Sequence, residues 1–200
     1  KVVIVGASRT PMGGFHGDMS QATAPELGGA AIKGAMDGAG VKNESIDEVI
    51  MGNVLSAGQG QAPARQASFK AGLSENVPAV TLNKMCGSGL KSVIYAHDQI
   101  KAGTSELVAA GGMESMTNAP YISPKMRAGA RVGHQQMYDH MFLDGLEDAY
   151  EPGRLMGTFA EDTAELFQFT REQQDEYAIG SLNNALNAQK KDAFDKEISP

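Results

Sequence analysis

Short apolar runs rich in β-branched residues alternate with stretches of helical periodicity through the first half of the chain. The run Val2–Val5 ends at Gly6, which is typical of a strand buried on both faces of a parallel or mixed sheet. Because strands and helices alternate, we predict an α/β protein with a mixed central sheet and helices on both faces. Further strands are predicted at residues 48–54, 77–82 and 107–110, and helices at residues 25–39, 63–70 and 87–103.

Composition and charge exclude several classes of protein. The 200 residues are enough for a sizeable core, and 17 Lys and Arg against 24 Asp and Glu give a net charge of −7. This acidic balance argues against nucleic acid and against an anionic membrane as partners. The one cysteine, Cys86, leaves no disulfide within the chain and no cysteine-based zinc site, so we expect a reducing compartment, the cytoplasm.

No apolar run approaches the roughly 18 residues of a membrane span, and the amino end is too short in apolar residues for a signal peptide. We therefore expect a soluble protein. The 24 glycines suit a layered α/β fold with loops around a small-molecule site.

The character of the sequence changes after Met116, where a long excursion from the predicted sheet begins. Long ordered loops in compact domains are usually functional. We therefore predict a core domain over residues 1–116 and an inserted loop domain over residues 117–200. Helices are expected from Thr158 onward, and the capping box Thr170-x-x-Gln173 predicts a long helix after it.

Cys86 lies where a predicted strand passes into a predicted helix, in the sequence Thr81-Leu-Asn-Lys-Met-Cys86-Gly-Ser-Gly-Leu90. Free backbone N–H groups and the macrodipole at a helix start favour an anion, so a thiolate there is a good nucleophile. Gly87 and Gly89 leave room for a ligand to approach the sulfur. The alternative is an inert buried thiol that only packs. The Cys-Gly-Ser-Gly turn favours the reactive interpretation.

Three motifs in the right order resemble the thiolase family across the whole chain. The run Leu82–Val93 is similar to the acyl-enzyme signature of thiolases. The run Ala110–Pro120, with its Gly-Gly-Met-Glu sequence, is similar to the segment where the thiolase loop domain leaves the core. The run Val3–Pro11 is similar to the first strand of the family. The resemblance implies the amino-terminal half of a layered αβα thiolase fold.

The chemistry that the resemblance implies is acyl transfer between coenzyme A thioesters. Cys86 would attack acetyl-CoA, and a second acetyl-CoA would attack the acetyl-cysteine to give acetoacetyl-CoA and coenzyme A. The backbone N–H of Cys86 would form part of the oxyanion hole. The Cys-Gly-Ser-Gly-Leu-Lys sequence resembles the biosynthetic acetyl-CoA acetyltransferases of the family.

The same resemblance assigns two residues of the loop domain to the substrate tunnel. Leu146 and Met156 would contact the pantetheine arm and the acyl group, with ordinary core packing as the alternative. Leu155 stands where the family commonly has a histidine. The coenzyme A thioesters are expected to be substrates, with no separate cofactor and no metal.

The base that deprotonates the second acetyl-CoA lies, in the family, in a second half that carries a Gly-His-Pro histidine and a second cysteine. Neither occurs in this sequence. His97 is expected to be a core histidine on the apolar face of the helix after Cys86. His16, His134 and His140 are expected at solvent or at an interface.

The loop domain also resembles the thiolase segment through which subunits pair, which implies a homo-oligomer, a tetramer. The basic residues Lys125, Arg127 and Arg131 fit either a solvated face or a contact with another subunit or a coenzyme A phosphate. The segment Gly58–Gln66 resembles a thiolase loop that reaches a neighbouring active site, with a helix cap as the alternative. Two other functions stay open at this point, a degradative 3-ketoacyl-CoA thiolase and a non-catalytic assembly module.

Overall fold

The structure is a computed structural model that describes residues 1–199. Pro200, the last residue of the predicted loop domain, lies outside the described residues. The regular elements within them are helices α1 (Ala24–Ala39), α2 (Pro63–Lys70), α3 (Ser88–Ala102), α4 (Met156–Leu166) and α5 (Arg171–Lys190), and strands β1 (Glu48–Gly52), β2 (Ala79–Leu82), β3 (Val108–Gly112), β4 (Tyr121–Ile122) and β5 (Tyr138–Asp139). Short 3₁₀ turns at Asn43–Ser45 and Met126–Ala128 and a π-helical turn at Phe142–Leu146 complete the set.

Strand β1 is the centre of a three-stranded sheet with the order β2-β1-β3. Both of its neighbours run parallel to it, and the register places Val49 beside Ala79 of β2 and Ala109 of β3. Parallel strands need crossover connections, which α2 and α3 provide. The α/β class predicted from the alternation of elements is confirmed.

Successive residues of β1 point to opposite faces of the sheet. Val49 and Met51 are buried in the hydrophobic core, which also contains residues of α1 and α2 such as Ile32 and Ala67. On the opposite face lies α3, whose Gln99 side-chain amide donates a 2.8 Å hydrogen bond to the Glu48 carboxylate. Helices therefore cover both faces of the sheet.

Helix α1 has clear start and stop signals, and it forms where the sequence predicts it. A reciprocal capping box joins Thr23 and Glu26, Pro25 lies in the first turn, and Gly40 ends the helix in the left-handed conformation at φ 64°. Hydrogen bonds from the Thr23 backbone N–H and hydroxyl, and then from Lys70, lower the pKa of Glu26 to about 2.

The face that α3 presents to the sheet differs from the one expected. Its buried residues are the small Ser88, Ser92 and Ala96, while Leu90 is 69% exposed. His97, expected in the core, is exposed, and its Nδ1 lies 3.0 Å from Asp98 Oδ1. The expectation for His97 was wrong because Ala96, and not its neighbour His97, is the residue of that turn that α3 buries. At the start of the helix, the backbone lies too close to the strand ends for large side chains to fit between them.

Residues 2–5 do not form the predicted buried strand. Ile4 is 80% exposed, and none of the strands within residues 1–199 pairs with this segment. Further along, the chain runs beside α1, since a Cβ on Gly6 would lie 2.5 Å from the Ala35 carbonyl oxygen. An apolar run becomes a strand only where a neighbouring strand accepts its N–H and C=O groups, and here only Arg9 makes a β-bridge, to Ile198.

Two compact units make up the chain. The first contains Lys1–Gly145 and the final residues from Ile198, and it holds the sheet, α1–α3 and the β4–β5 hairpin. The second, Leu146–Glu197, holds α4 and α5. Helix α5 follows the capping box of Thr170 and Gln173, as predicted. The boundary after residue 116, which was inferred from composition rather than contacts, stays a prediction.

We expect Gly52→Ala to lower the free energy of unfolding by about 1–3 kcal/mol. A Cβ at Gly52 would lie 2.5 Å from the Ser88 carbonyl carbon, and backbone cannot turn aside as a flexible side chain can. The matched control is Gly38→Ala, because a Cβ at Gly38 of α1 meets nothing within 4 Å and alanine favours a helix by up to about 1 kcal/mol. Chemical denaturation measures the free energy of unfolding of both variants. Equal values for Gly52→Ala and Gly38→Ala would contradict the prediction.

Candidate active site

Cys86 lies in a tight turn between β2 and α3, as predicted. Asn83 accepts a 2.8 Å hydrogen bond from the Met85 N–H, which stabilises the first part of the turn. The Ser88 hydroxyl accepts one of 2.8 Å from the Lys84 N–H and donates one of 2.6 Å to the Met85 carbonyl. These bonds hold Met85 in the left-handed region at φ 49°. The local sequence thus builds a rigid support for the thiol.

The turn lies at the carboxyl ends of β1 and β3. A Cβ on Gly112 would lie 3.2 Å from Gly89 Cα, and one on Gly52 would lie 2.5 Å from the Ser88 carbonyl carbon, so both glycines face the start of α3. In open sheets of parallel strands, ligands bind at the carboxyl ends of the strands. The position of the turn is therefore suited to a ligand that approaches Cys86.

The Cys86 residue is exposed, in contrast to the alternative of a buried packing thiol. It immediately precedes Gly87, the N-cap of α3, so it lies at the positive end of the helix macrodipole. A thiol at this place can act as a nucleophile toward an electrophilic carbonyl that reaches it from solvent.

No histidine among residues 1–199 hydrogen-bonds to Cys86. His97 contacts Asp98, and the His16 backbone N–H bonds to Thr117. His140, expected at solvent or an interface, is buried instead, and its ring lies between Asp144 and Ala57. His134 is exposed. The described residues therefore present a nucleophile at this site without a neighbouring base.

Leu146 and Met156 both lie in the second compact unit. An isolated antiparallel bridge joins their neighbours in sequence, Glu147 and Leu155. Leu146 is half-buried, and Met156, the first residue of α4, is 45% exposed. Their assignment to the substrate tunnel stays a prediction.

Arg154, which precedes Leu155, makes several contacts within the second compact unit. Its guanidinium lies 2.7 Å from Glu151 Oε2, contacts Asp162 and stacks 3.7 Å from the Phe159 ring centroid. The hydrogen bond with Glu151 is the largest cause that raises the pKa of Arg154. The side chain is held within its own unit by these contacts.

A second group of site residues was not singled out from the sequence. The Glu114 carboxylate accepts backbone hydrogen bonds of 2.9 Å from both Val54 and Leu55, and one of 2.8 Å from the buried Asn53 side chain. It therefore holds the chain where it leaves β1, beside the Cys86 turn. An acidic residue two positions after the glycine-rich end of β3 was the available signal.

The fold and the turn together define an α/β protein with an exposed cysteine at the carboxyl edge of a parallel sheet. No group of three or more His, Cys, Asp or Glu side chains within residues 1–199 is arranged to hold a metal ion. In the same part of the chain, no helix combines the length and apolar character needed to cross a membrane.

Comparison with known proteins identifies the family. A family model described as thiolase, N-terminal domain, matches residues 2–200. An acetyl-CoA acetyltransferase of Cupriavidus necator is 53% identical over 199 residues, and one of Saccharomyces cerevisiae is 49% identical over 201 residues. Acetyl-CoA acetyltransferase 2 of Arabidopsis thaliana is 49% identical over 199 residues. These matches cover 100% of this chain and 50%, 50% and 49% of the respective relatives.

The chain belongs to the thiolase family and corresponds to its N-terminal domain. It spans about half the length of the curated relatives it matches.

We expect Ser88→Ala to destabilise the protein by about 1–3 kcal/mol, because it leaves the Lys84 N–H without its acceptor. It should also slow alkylation of Cys86 by iodoacetamide, since the turn that holds the thiol at the helix start loosens. Ser92→Ala is the matched control, because the Ser92 hydroxyl bonds only to the Ser88 carbonyl within the same helix. An unchanged alkylation rate in Ser88→Ala would show that the turn holds its shape without this hydroxyl.

Proposed function

We propose that this chain supplies the nucleophilic half of an acetyl-CoA acetyltransferase, which condenses two acetyl-CoA molecules reversibly into acetoacetyl-CoA and coenzyme A. The observation that carries the proposal is the exposed Cys86 in a strand-to-helix turn. It occurs in a chain that is about half identical, over its full length, to proteins named acetyl-CoA acetyltransferase.

Cys86 forms the acyl-enzyme in the first half of the proposed reaction. Its thiolate attacks the thioester carbonyl of acetyl-CoA, the carbonyl π electrons move to oxygen, and collapse of the tetrahedral intermediate expels the coenzyme A thiolate. The oxyanion forms beside the N-terminus of α3, where backbone N–H groups and the macrodipole stabilise negative charge. The product of this half-reaction is acetyl-Cys86 and free coenzyme A.

Carbon–carbon bond formation is the second half-reaction. A base removes the α-proton of a second acetyl-CoA, the resulting carbanion attacks the acetyl carbonyl, and the Cys86 thiolate leaves. Because the chain spans about half the length of the relatives it matches, we propose that residues beyond the given sequence supply this base. The reverse sequence cleaves acetoacetyl-CoA with coenzyme A.

Leu146 and Met156 are proposed to contact the pantetheine arm and the acyl group. Their position on either side of the Glu147–Leu155 bridge, and the partial exposure of both side chains, support the assignment. A degradative 3-ketoacyl-CoA thiolase would use the same cysteine. Comparison of thiolysis rates for acetoacetyl-CoA and a long-chain 3-ketoacyl-CoA distinguishes the two activities.

Incubation of the protein expressed from its complete gene with acetyl-CoA should add the mass of one acetyl group to the peptide that contains Cys86. Cys86→Ala should abolish the adduct and lower acetoacetyl-CoA formation by about 10³-fold or more. Lys101→Ala, in the last turn of the same helix, is the control and should behave like the wild type. A protein that folds but never acquires the acetyl group would instead be the non-catalytic assembly module.

We also propose that the protein is a homo-oligomer, a tetramer, whose subunits meet through the connection between β4 and β5. Ser123 and Gln136 close the base of this connection with a 3.1 Å hydrogen bond, while Val132 is 93% exposed and Met137 67%. An exposed segment of this length offsets its ordering cost when another subunit packs on it.

Replacement of residues 124–136 by Asn-Gly should lower the assembly state, because a two-residue turn can join the strands and removes the protruding segment. Sedimentation velocity measures the mass, and the alkylation rate of Cys86 reports that the core is intact. Arg127→Glu is the second variant, and it should weaken assembly in a salt-dependent way if the contact is electrostatic. An unchanged mass after the replacement would remove this segment from the interface.

A further inference from the structure

The loop from Asn53 to Gln61 leaves β1 next to the Cys86 turn. The Asn53 N–H donates a 3.0 Å hydrogen bond to the carbonyl of Leu82, the last residue of β2 before the turn. Beyond Leu55 the loop has no helix or strand and is largely exposed. A segment of this kind would be mobile unless specific contacts held it.

Side-chain bonds hold both ends of this loop. At its start, Glu114 accepts the backbone N–H groups of Val54 and Leu55. At its far end, the Gln66 side-chain amide donates hydrogen bonds of 2.8 Å to the carbonyls of Gln59 and Gln61. Within the loop, the Gln59 side-chain amide donates a 2.8 Å hydrogen bond to the Leu55 carbonyl. Ala57, which lies between these two residues, is bonded from outside the loop.

His140 holds the middle of the loop. The Ala57 N–H donates a 3.3 Å hydrogen bond to His140 Nε2, and His140 Nδ1 lies 2.6 Å from Asp144 Oδ2. The His140 side chain is only 7% exposed, and its backbone N–H bonds to the Pro120 carbonyl at 3.1 Å. A buried ring with partners on both nitrogens has one orientation available to it.

These two contacts define the protonation of the ring. Because Ala57 offers a backbone N–H, Nε2 must be an unprotonated acceptor, and the single ring proton must lie on Nδ1, where Asp144 accepts it. An imidazolium has a proton on both nitrogens and could not accept from Ala57. The geometry therefore requires the neutral Nδ1–H tautomer.

We propose that His140, oriented by Asp144, is a positioning residue that fixes the loop 53–61 beside the Cys86 turn by accepting the Ala57 N–H. Only its effect on turnover rests on the proposed acetyl transfer. The contacts of Asn53, Glu114 and Gln66 hold the two ends of the loop. His140 supplies the hydrogen bond to the segment between those ends. Loss of the hydrogen bond between Ala57 and His140 would leave the exposed part of the loop free to move at the carboxyl edge of the sheet, where substrate approaches.

The direct test is nuclear magnetic resonance of the protein expressed from its complete gene. Long-range ¹H–¹⁵N spectra should show Nδ1 of His140 protonated and Nε2 unprotonated. A proton on Nε2 would overturn the proposal, and this measurement needs no variant that might fail to fold.

Variants test the hydrogen bond between Ala57 and His140 through hydrogen exchange of the Ala57 amide. His140→Ala should speed this exchange by roughly three- to tenfold, the range for loss of one hydrogen bond. His140→Gln should restore slow exchange, because Oε1 of glutamine can occupy the position of Nε2. His97→Ala removes a similar histidine–aspartate pair on the exposed side of α3 and should leave Ala57 unchanged. Equal exchange in His140→Ala and wild type, or no rescue by Gln, would overturn the proposal.

The rate of acetyl transfer tests whether the hydrogen bond of His140 matters for function. His140→Ala should lower kcat/KM for acetyl transfer by roughly tenfold or more, and His140→Gln should recover it, because small displacements near a reacting centre are costly. The alkylation rate of Cys86 should stay constant, since the turn has its own hydrogen bonds. Equal kcat/KM in His140→Ala and the wild type would overturn the positioning role. A wild type without transfer activity would contradict the proposed function, while the Ala57 measurement would still decide whether His140 holds the loop.

Discussion

The close approach of helix α3 to the carboxyl ends of the strands is the constraint on which the rest of the structure depends. Gly52, Gly89 and Gly112 allow it, because none has a Cβ to separate the backbones. The helix start is thereby brought to the edge of the sheet. The turn that precedes it, with Cys86, consequently lies where parallel sheets bind ligands.

The same approach decides how apolar surface is distributed. Small residues of α3 fill the narrow space against the sheet, and Leu90 and Ile94 are exposed in the part of the protein that this chain spans. The other face of the sheet packs conventionally against α1 and α2 around Val49 and Met51. Apolar burial therefore stabilises both faces, since Ile50 is buried on the α3 side, and close backbone contact is added where α3 begins.

Polar side chains, rather than apolar packing, give the site its shape. Ser88 and Asn83 hold the turn around Cys86, while Glu114 and His140 hold the loop that begins beside it. Hydrogen bonds fix direction as well as distance, so a few of them can order exposed segments that have little apolar surface to bury. A nucleophile on such a support keeps its orientation while remaining accessible to substrate.

The sequence by itself determined α1, α2, α3 and α5, because capping boxes, prolines and terminal glycines act within one helical turn, and it determined Cys86 at a strand-to-helix junction. Only the tertiary structure decided that residues 2–5 join none of the strands within residues 1–199, that α3 exposes His97 and that His140 is buried. Burial and strand pairing depend on segments distant in sequence, and the local pattern of a segment holds no information about its neighbours in space.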